Sequence, residues 1–76
     1  MNIPTRVSDD VLEYLRREFP KGQRVQLVSM GDKIPCGTLG TVYNVDDIGT
    51  VHVNWDSGSR LGVVNGEDYI VKVLQL

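Results

Sequence analysis

The sequence predicts a mainly β fold: five short antiparallel strands closing into a small barrel, preceded by one N-terminal α-helix. Runs rich in β-branched and aliphatic residues are separated by glycine-bearing turns at close spacing. No helical pattern lies between those runs, so the crossover helices that parallel strands require are missing. "VHVNWDSGSR", residues 51–60, alternates apolar and polar side chains up to Trp55 and then meets a glycine turn, the period of a strand with one buried face.

Residues 7–19, "VSDDVLEYLRREF", read as the helix. Ser8 suits the N-cap because its hydroxyl can accept from an unpaired backbone N–H, and Asp9 and Asp10 place negative charge at the positive end of the dipole. Val7 is positioned to staple onto Leu12. Val11, Leu12, Leu15 and Phe19 form one apolar stripe, while Glu13 and Arg17 have the spacing of an outward ion pair. Pro20 and Gly22 end the helix. About three turns are marginal alone in water, so the stripe is expected to dock.

The strands follow. "QRVQLVSM" (23–30) puts Val25 and Leu27 on one face and Arg24 and Gln26 on the other. "GDKIPCG" is a loop by its glycines and Pro35. "TLGTVYNV" (38–45) is a second strand, with Gly40 marking a bulge or bend. "DDIG" (46–49) turns the chain into "TVHVNW", where Val51, Val53 and Trp55 share a face and His52 and Asn54 share the other. "DSG" makes a hairpin, with Asp56 and Ser57 in a type I turn and Gly58 in a left-handed bulge position. "SRLGVV" (59–64) returns, "NGED" turns, and "YIVKVL" (69–74) closes the barrel as the fifth strand.

Seventy-six residues make a single domain, 1–76, with the helix at 7–19 and the barrel at 22–75. Its expected core is Val25, Leu27, Val42, Val53, Trp55, Leu61, Val63 and Val73, met by Leu12, Leu15 and Phe19. The formal net charge of −2 argues against a protein that depends on neutralising many phosphates. A local basic run, Arg16, Arg17, Lys21 and Arg24, keeps nucleic acid as an alternative partner. A single cysteine, Cys36, offers no internal disulfide. With neither a signal peptide nor a long apolar span in the sequence, a cytoplasmic location and no membrane association are expected.

Trp55 has two readings. One places it in the core of a domain too small to spare it; the other exposes its edge in a groove beside Tyr43, ready for an extended peptide. Asp56 reads as a turn residue accepting from the backbone two positions on. Asp46 and Asp47 lack the patterned oxygen ligands of a calcium loop. Cys36 and His52 are the lone thiol and imidazole, without an orienting group or an anion-stabilising loop, so neither catalysis nor a metal site is expected, and no cofactor. Gly37, Gly40 and Gly49 lack the strand–loop–helix setting of a phosphate cradle.

"REFPKGQRVQLVSM", "GTLGTV", "VDDIGTVHVNWDSGSRL" and "NGEDY" together resemble a family of short uncharacterised proteins of Gram-positive bacteria, their phages and their conjugative elements. The likeness spans about residues 10–73 and departs at "SMGD", around Asp32, where an acidic pair would directly follow Met30. More distantly, "GTV" followed by "VNWDSG" is similar to SH3-like barrels of the Mind-bomb type, which bind peptide segments, and of the KOW type, which serve ribosomal and transcription proteins. The resemblance implies an SH3-like barrel that binds rather than catalyses.

The leading functional expectation is therefore a non-catalytic protein-binding module, an accessory or anti-defence factor of a phage or other mobile element. Its expected contact residues are Tyr43, His52, Asn54, Trp55 and Arg60. The alternative is a KOW-like nucleic-acid binder using Arg16, Arg17, Lys21 and Arg24. A third reading pairs two copies into a homodimer through an edge strand.

Overall fold

The structure, a computed structural model, describes residues 7–31 and 33–74, so Asp32 and the last residue of the expected barrel range lie outside the described residues. The elements run α1 (Asp9–Glu18), β1 (Arg24–Ser29), β2 (Leu39–Val45), β3 (Thr50–Trp55), β4 (Val63–Val64) and β5 (Tyr69–Lys72). Ser8 caps α1 as expected, its hydroxyl accepting from the Val11 N–H at 3.3 Å. At the other end the Phe19 N–H still donates to Leu15, and Gly22, at φ +96°, swings the chain into β1.

All five strands join one sheet in the order β4-β3-β2-β1-β5, with antiparallel ladders throughout. The sheet is open, which differs from the expected closed barrel. β4 and β5 remain edges, linked among the described residues by the isolated bridge Asn65–Asp68 in their connecting turn. The expected strand 59–64 shrinks to two residues. Trp55 explains why: its indole N–H donates to the Leu61 carbonyl at 2.9 Å, so the segment before β4 bonds to the core's largest side chain instead of extending the ladder.

Leu15, Val25, Leu27, Val42, Val53, Trp55 and Val63 are buried as expected, and Leu12 and Phe19 pack partly against them. Leu61 does not join the core; its side chain is 41% exposed because its carbonyl, not its side chain, serves Trp55. Val73 is only half-buried. Met30, Ile34, Val45 and Val51 complete the core, so the expected loop 31–37 contributes an apolar anchor. Burying each such side chain is worth roughly 1.5–3 kcal/mol before entropy is counted. The helix is tied down further by Glu18–Lys72 at 3.0 Å and Arg16–Asp47 at 2.9 Å. Arg17 lies near Glu18 and over the Tyr14 ring rather than against the expected Glu13.

Gly40 does not mark a bulge. It pairs in regular register with Trp55, and a Cβ there would lie 2.5 Å from Val53 Cγ1 and 2.8 Å from Trp55 Cε3; the indole occupies the space a side chain would need. The bulge falls at Tyr43–Asn44, where the β2–β3 register shifts. It reconciles a three-residue spacing, Val42 to Val45, with the two-residue spacing of Val53 and Val51, so that all four valines point inward.

Candidate functional site

The same bulge shapes the outer surface of the β2–β3 hairpin. Tyr43 and Asn44 together oppose His52, which brings the Tyr43 ring beside the imidazole, centroids 5.8 Å apart and planes tilted by 48°. Arg60, just past the β3 turn, sets its guanidinium 5.8 Å from the Tyr43 ring centroid, within reach of a cation–π attraction. Asn54 stands exposed two residues from His52 and opposite Thr41. Tyr43, His52, Asn54 and Arg60 thus share one face, as the sequence suggested.

Trp55 is not on that face. It is 3% exposed with its one polar atom satisfied by Leu61, so its edge meets no visitor, and the core reading replaces the groove reading.

Asp46 is the member of the face that sequence reasoning left as a turn residue. One carboxylate oxygen accepts from the backbone N–H groups of Ile48 and Thr50 at 3.1 and 2.9 Å, locking the turn that Gly49 completes at φ +85°. The other oxygen lies 2.7 Å from His52 Nε2. Burial alone would push the carboxyl up, but the His52 hydrogen bond and the two N–H donors outweigh it and hold Asp46 below the ordinary carboxylate range. The signal for this pairing was a carboxylate six positions before a histidine across a tight turn. His52 consequently has a structural task besides any contact it makes.

Asp56 also differs from expectation. The turn forms as expected, with Gly58 at φ +99° donating to Trp55, but Asp56 sits at its second position and its carboxylate grips Arg24 through two parallel bonds of 2.9 and 2.7 Å. Hydrogen bonding to Arg24 lowers the Asp56 carboxyl and raises the guanidinium. Arg24 also donates to Thr41 at 3.0 Å, pinning β1 to the β2–β3 hairpin.

The members of the basic run are engaged differently. Arg24 is engaged by Asp56, Arg16 by Asp47 and the Val45 carbonyl, and Arg17 turns toward Glu18 and Tyr14. Lys21 is exposed and, with Arg16, lines a shallow depression of about 290 Å³ bounded by Tyr43 and Asn44. Two members of the run thus reach Tyr43 from the C-terminal end of α1, in a depression that Phe19 and Val45 also line. Cys36 is exposed in the loop before β2, whereas His52 pairs near the end of β2; a seven-residue strand separates them by on the order of 20 Å. No group of three or more His, Cys, Asp or Glu among the described residues could hold a metal ion. No helix of the described residues is long and apolar enough to cross a membrane.

A family model described as a domain of unknown function, DUF4314, matches residues 8–73. The chain belongs to the DUF4314 family. The match begins at the helix cap and ends just beyond β5, so the docked helix is part of the DUF4314 domain and not an appendage to the sheet. Comparison with curated proteins and with solved structures found no match.

Proposed function

We propose that this DUF4314 domain is a non-catalytic module that binds another protein through the outer face of the β2–β3 hairpin. The supporting observation is the gathering of Tyr43, Asn54 and Arg60 on a surface from which the core takes nothing: the inward valines and Trp55 close the interior, while the polar side chains opposite them converge on an aromatic ring. Aromatic and arginine side chains on an otherwise polar surface are the residue types that dominate protein interfaces. The architecture that goes with this reading is an SH3-like barrel left open between β4 and β5; the strand order with β1 between β2 and β5 and the bent, bulged β2 support it. The sequence resemblance supports an accessory or anti-defence role for a phage or other mobile element, acting in the bacterial cytoplasm.

Tyr43→Ala and Asn54→Ala together test the reading, because neither side chain has a hydrogen bond that holds the fold among the described residues. In a capture experiment from the native host followed by mass spectrometry, the wild-type domain retains a protein that the double variant loses while keeping its circular dichroism spectrum. Capture unaffected by the substitutions moves the site elsewhere.

A further inference from the structure

We infer that the partner segment received at Tyr43 is acidic, an extended peptide whose carboxylates are met by Arg60 and Lys21. This inference rests on the protein-binding reading and adds the chemistry of the ligand. The acids near Tyr43 are already spent. Asp46 gives both oxygens to His52 and to the backbone, Asp56 gives both to Arg24, and Asp47 pairs with Arg16. Arg60 and Lys21 have no carboxylate partner among the described residues. Arg60 lies over the Tyr43 ring, and Lys21 lines with Tyr43 the depression beside Asn44.

Charge distribution over the whole chain points the same way. Arg16, Lys21, Arg24 and Arg60 face Asp46, Asp47 and Asp56 around the hairpin, four cations against three acids, whereas the rest of the sequence carries four cations and seven acids. The surroundings of Tyr43 thus carry one positive charge in excess while the rest of the sequence is acidic, and a locally positive surface steers negatively charged ligands toward itself. A peptide is favoured over single-stranded nucleic acid by the ring's surroundings. Arg60 and His52 already lie against Tyr43, leaving no bare aromatic platform for a base, and two unpaired cations are few for an affinity driven by phosphates.

Fluorescence anisotropy on the full chain tests this with three labelled probes of equal length: a peptide alternating glutamate with apolar residues, the same peptide with lysine for glutamate, and oligothymidylate. The acidic peptide is expected to bind at low salt, weaken as salt rises, and lose about tenfold or more in affinity on Lys21→Glu with Arg60→Glu. Glu67→Lys, away from the hairpin face, serves as the charge control and leaves binding within twofold or so of wild type. Preference for the lysine peptide, or no binding of the acidic one by a folded protein, overturns the acidic assignment while leaving the Tyr43 surface to be judged by capture. Tighter binding of oligothymidylate, lost on the same two substitutions, overturns it in favour of nucleic acid.

Discussion

The two faces of the β2–β3 hairpin are built from alternate residues of the same strands, yet they are held together by different physics. Inward, Val42, Val45, Val51, Val53 and Trp55 are all under a tenth exposed, and a glycine is required opposite the indole. Outward, Tyr43, His52, Asn54 and Arg60 are half-buried or exposed; His52 and Arg60 lie against the Tyr43 ring, and His52 pairs with the Asp46 carboxylate. The inner face is specified by shape, and a single atom too many or too few is felt there. The outer face is specified by directional bonds among side chains that water can also reach, so it tolerates change and leaves surface for recognition. Where the two faces meet, at Asp46 and Gly49, turn chemistry serves both.

Substitutions graded across the hairpin sharpen this contrast. Trp55→Ala removes the largest inward side chain and leaves the Leu61 carbonyl without its donor, so urea unfolding followed by circular dichroism is expected to show a loss of about 3–5 kcal/mol. That is a large part of the stability of any small domain. Gly40→Ala forces a methyl group into space held by Val53 and Trp55, with the Asn54 carbonyl oxygen 3.0 Å away, and is expected to cost about 1–3 kcal/mol in the same measurement. Unchanged stability would mean that the indole does not pack over Gly40.

Asp46→Ala tests the boundary between the faces. It deletes the acceptor for Ile48, Thr50 and His52 and is expected to cost about 1–2 kcal/mol at neutral pH. Because the folded carboxyl is held below its unfolded value, its stabilising contribution is complete above the unfolded carboxylate pKa of about 4 and fades as pH falls through the lower folded pKa. The gap between wild type and Asp46→Ala should therefore narrow in acid. A gap independent of pH down to strong acid would show that the charge on Asp46 contributes nothing. Asn54→Ala is expected to have the smallest effect, within about 0.5 kcal/mol, while still impairing capture of the partner.

The inner face was far more legible in the sequence than the outer one. Ser8, the Val11–Phe19 stripe and the alternation through Trp55 announce the helix and the β3 strand because burial imposes a fixed period on residue type. Gly40 was readable as a special position, but its cause, an indole across the ladder, depends on a register that no local pattern gives. The bulge was present as the odd spacing of Val42 and Val45, and was hidden by the glycine nearby. Leu61 and the short β4 departed from expectation because one hydrogen bond to Trp55 outcompeted strand pairing. Ile34 was invisible as a core residue since a loop has no period to reveal which side chain turns inward, and Met30 was hidden by the register shift between Leu27 and Ser29, which breaks the alternation at the end of β1. On the outer face, the sequence supplied the residue types of Tyr43, His52, Asn54 and Arg60. It did not reveal that Asp46 holds His52 or that Asp56 holds Arg24, because those partners meet across strands and turns.

The division of labour between the faces turns on where the indole lies, and the chain's single tryptophan makes that directly measurable. Iodide quenching of the native protein should leave Trp55 fluorescence nearly untouched, with a blue-shifted emission that moves red and becomes quenchable only on unfolding in urea. Quenching of the native protein as efficient as that of the unfolded chain would put the ring in water and contradict the account.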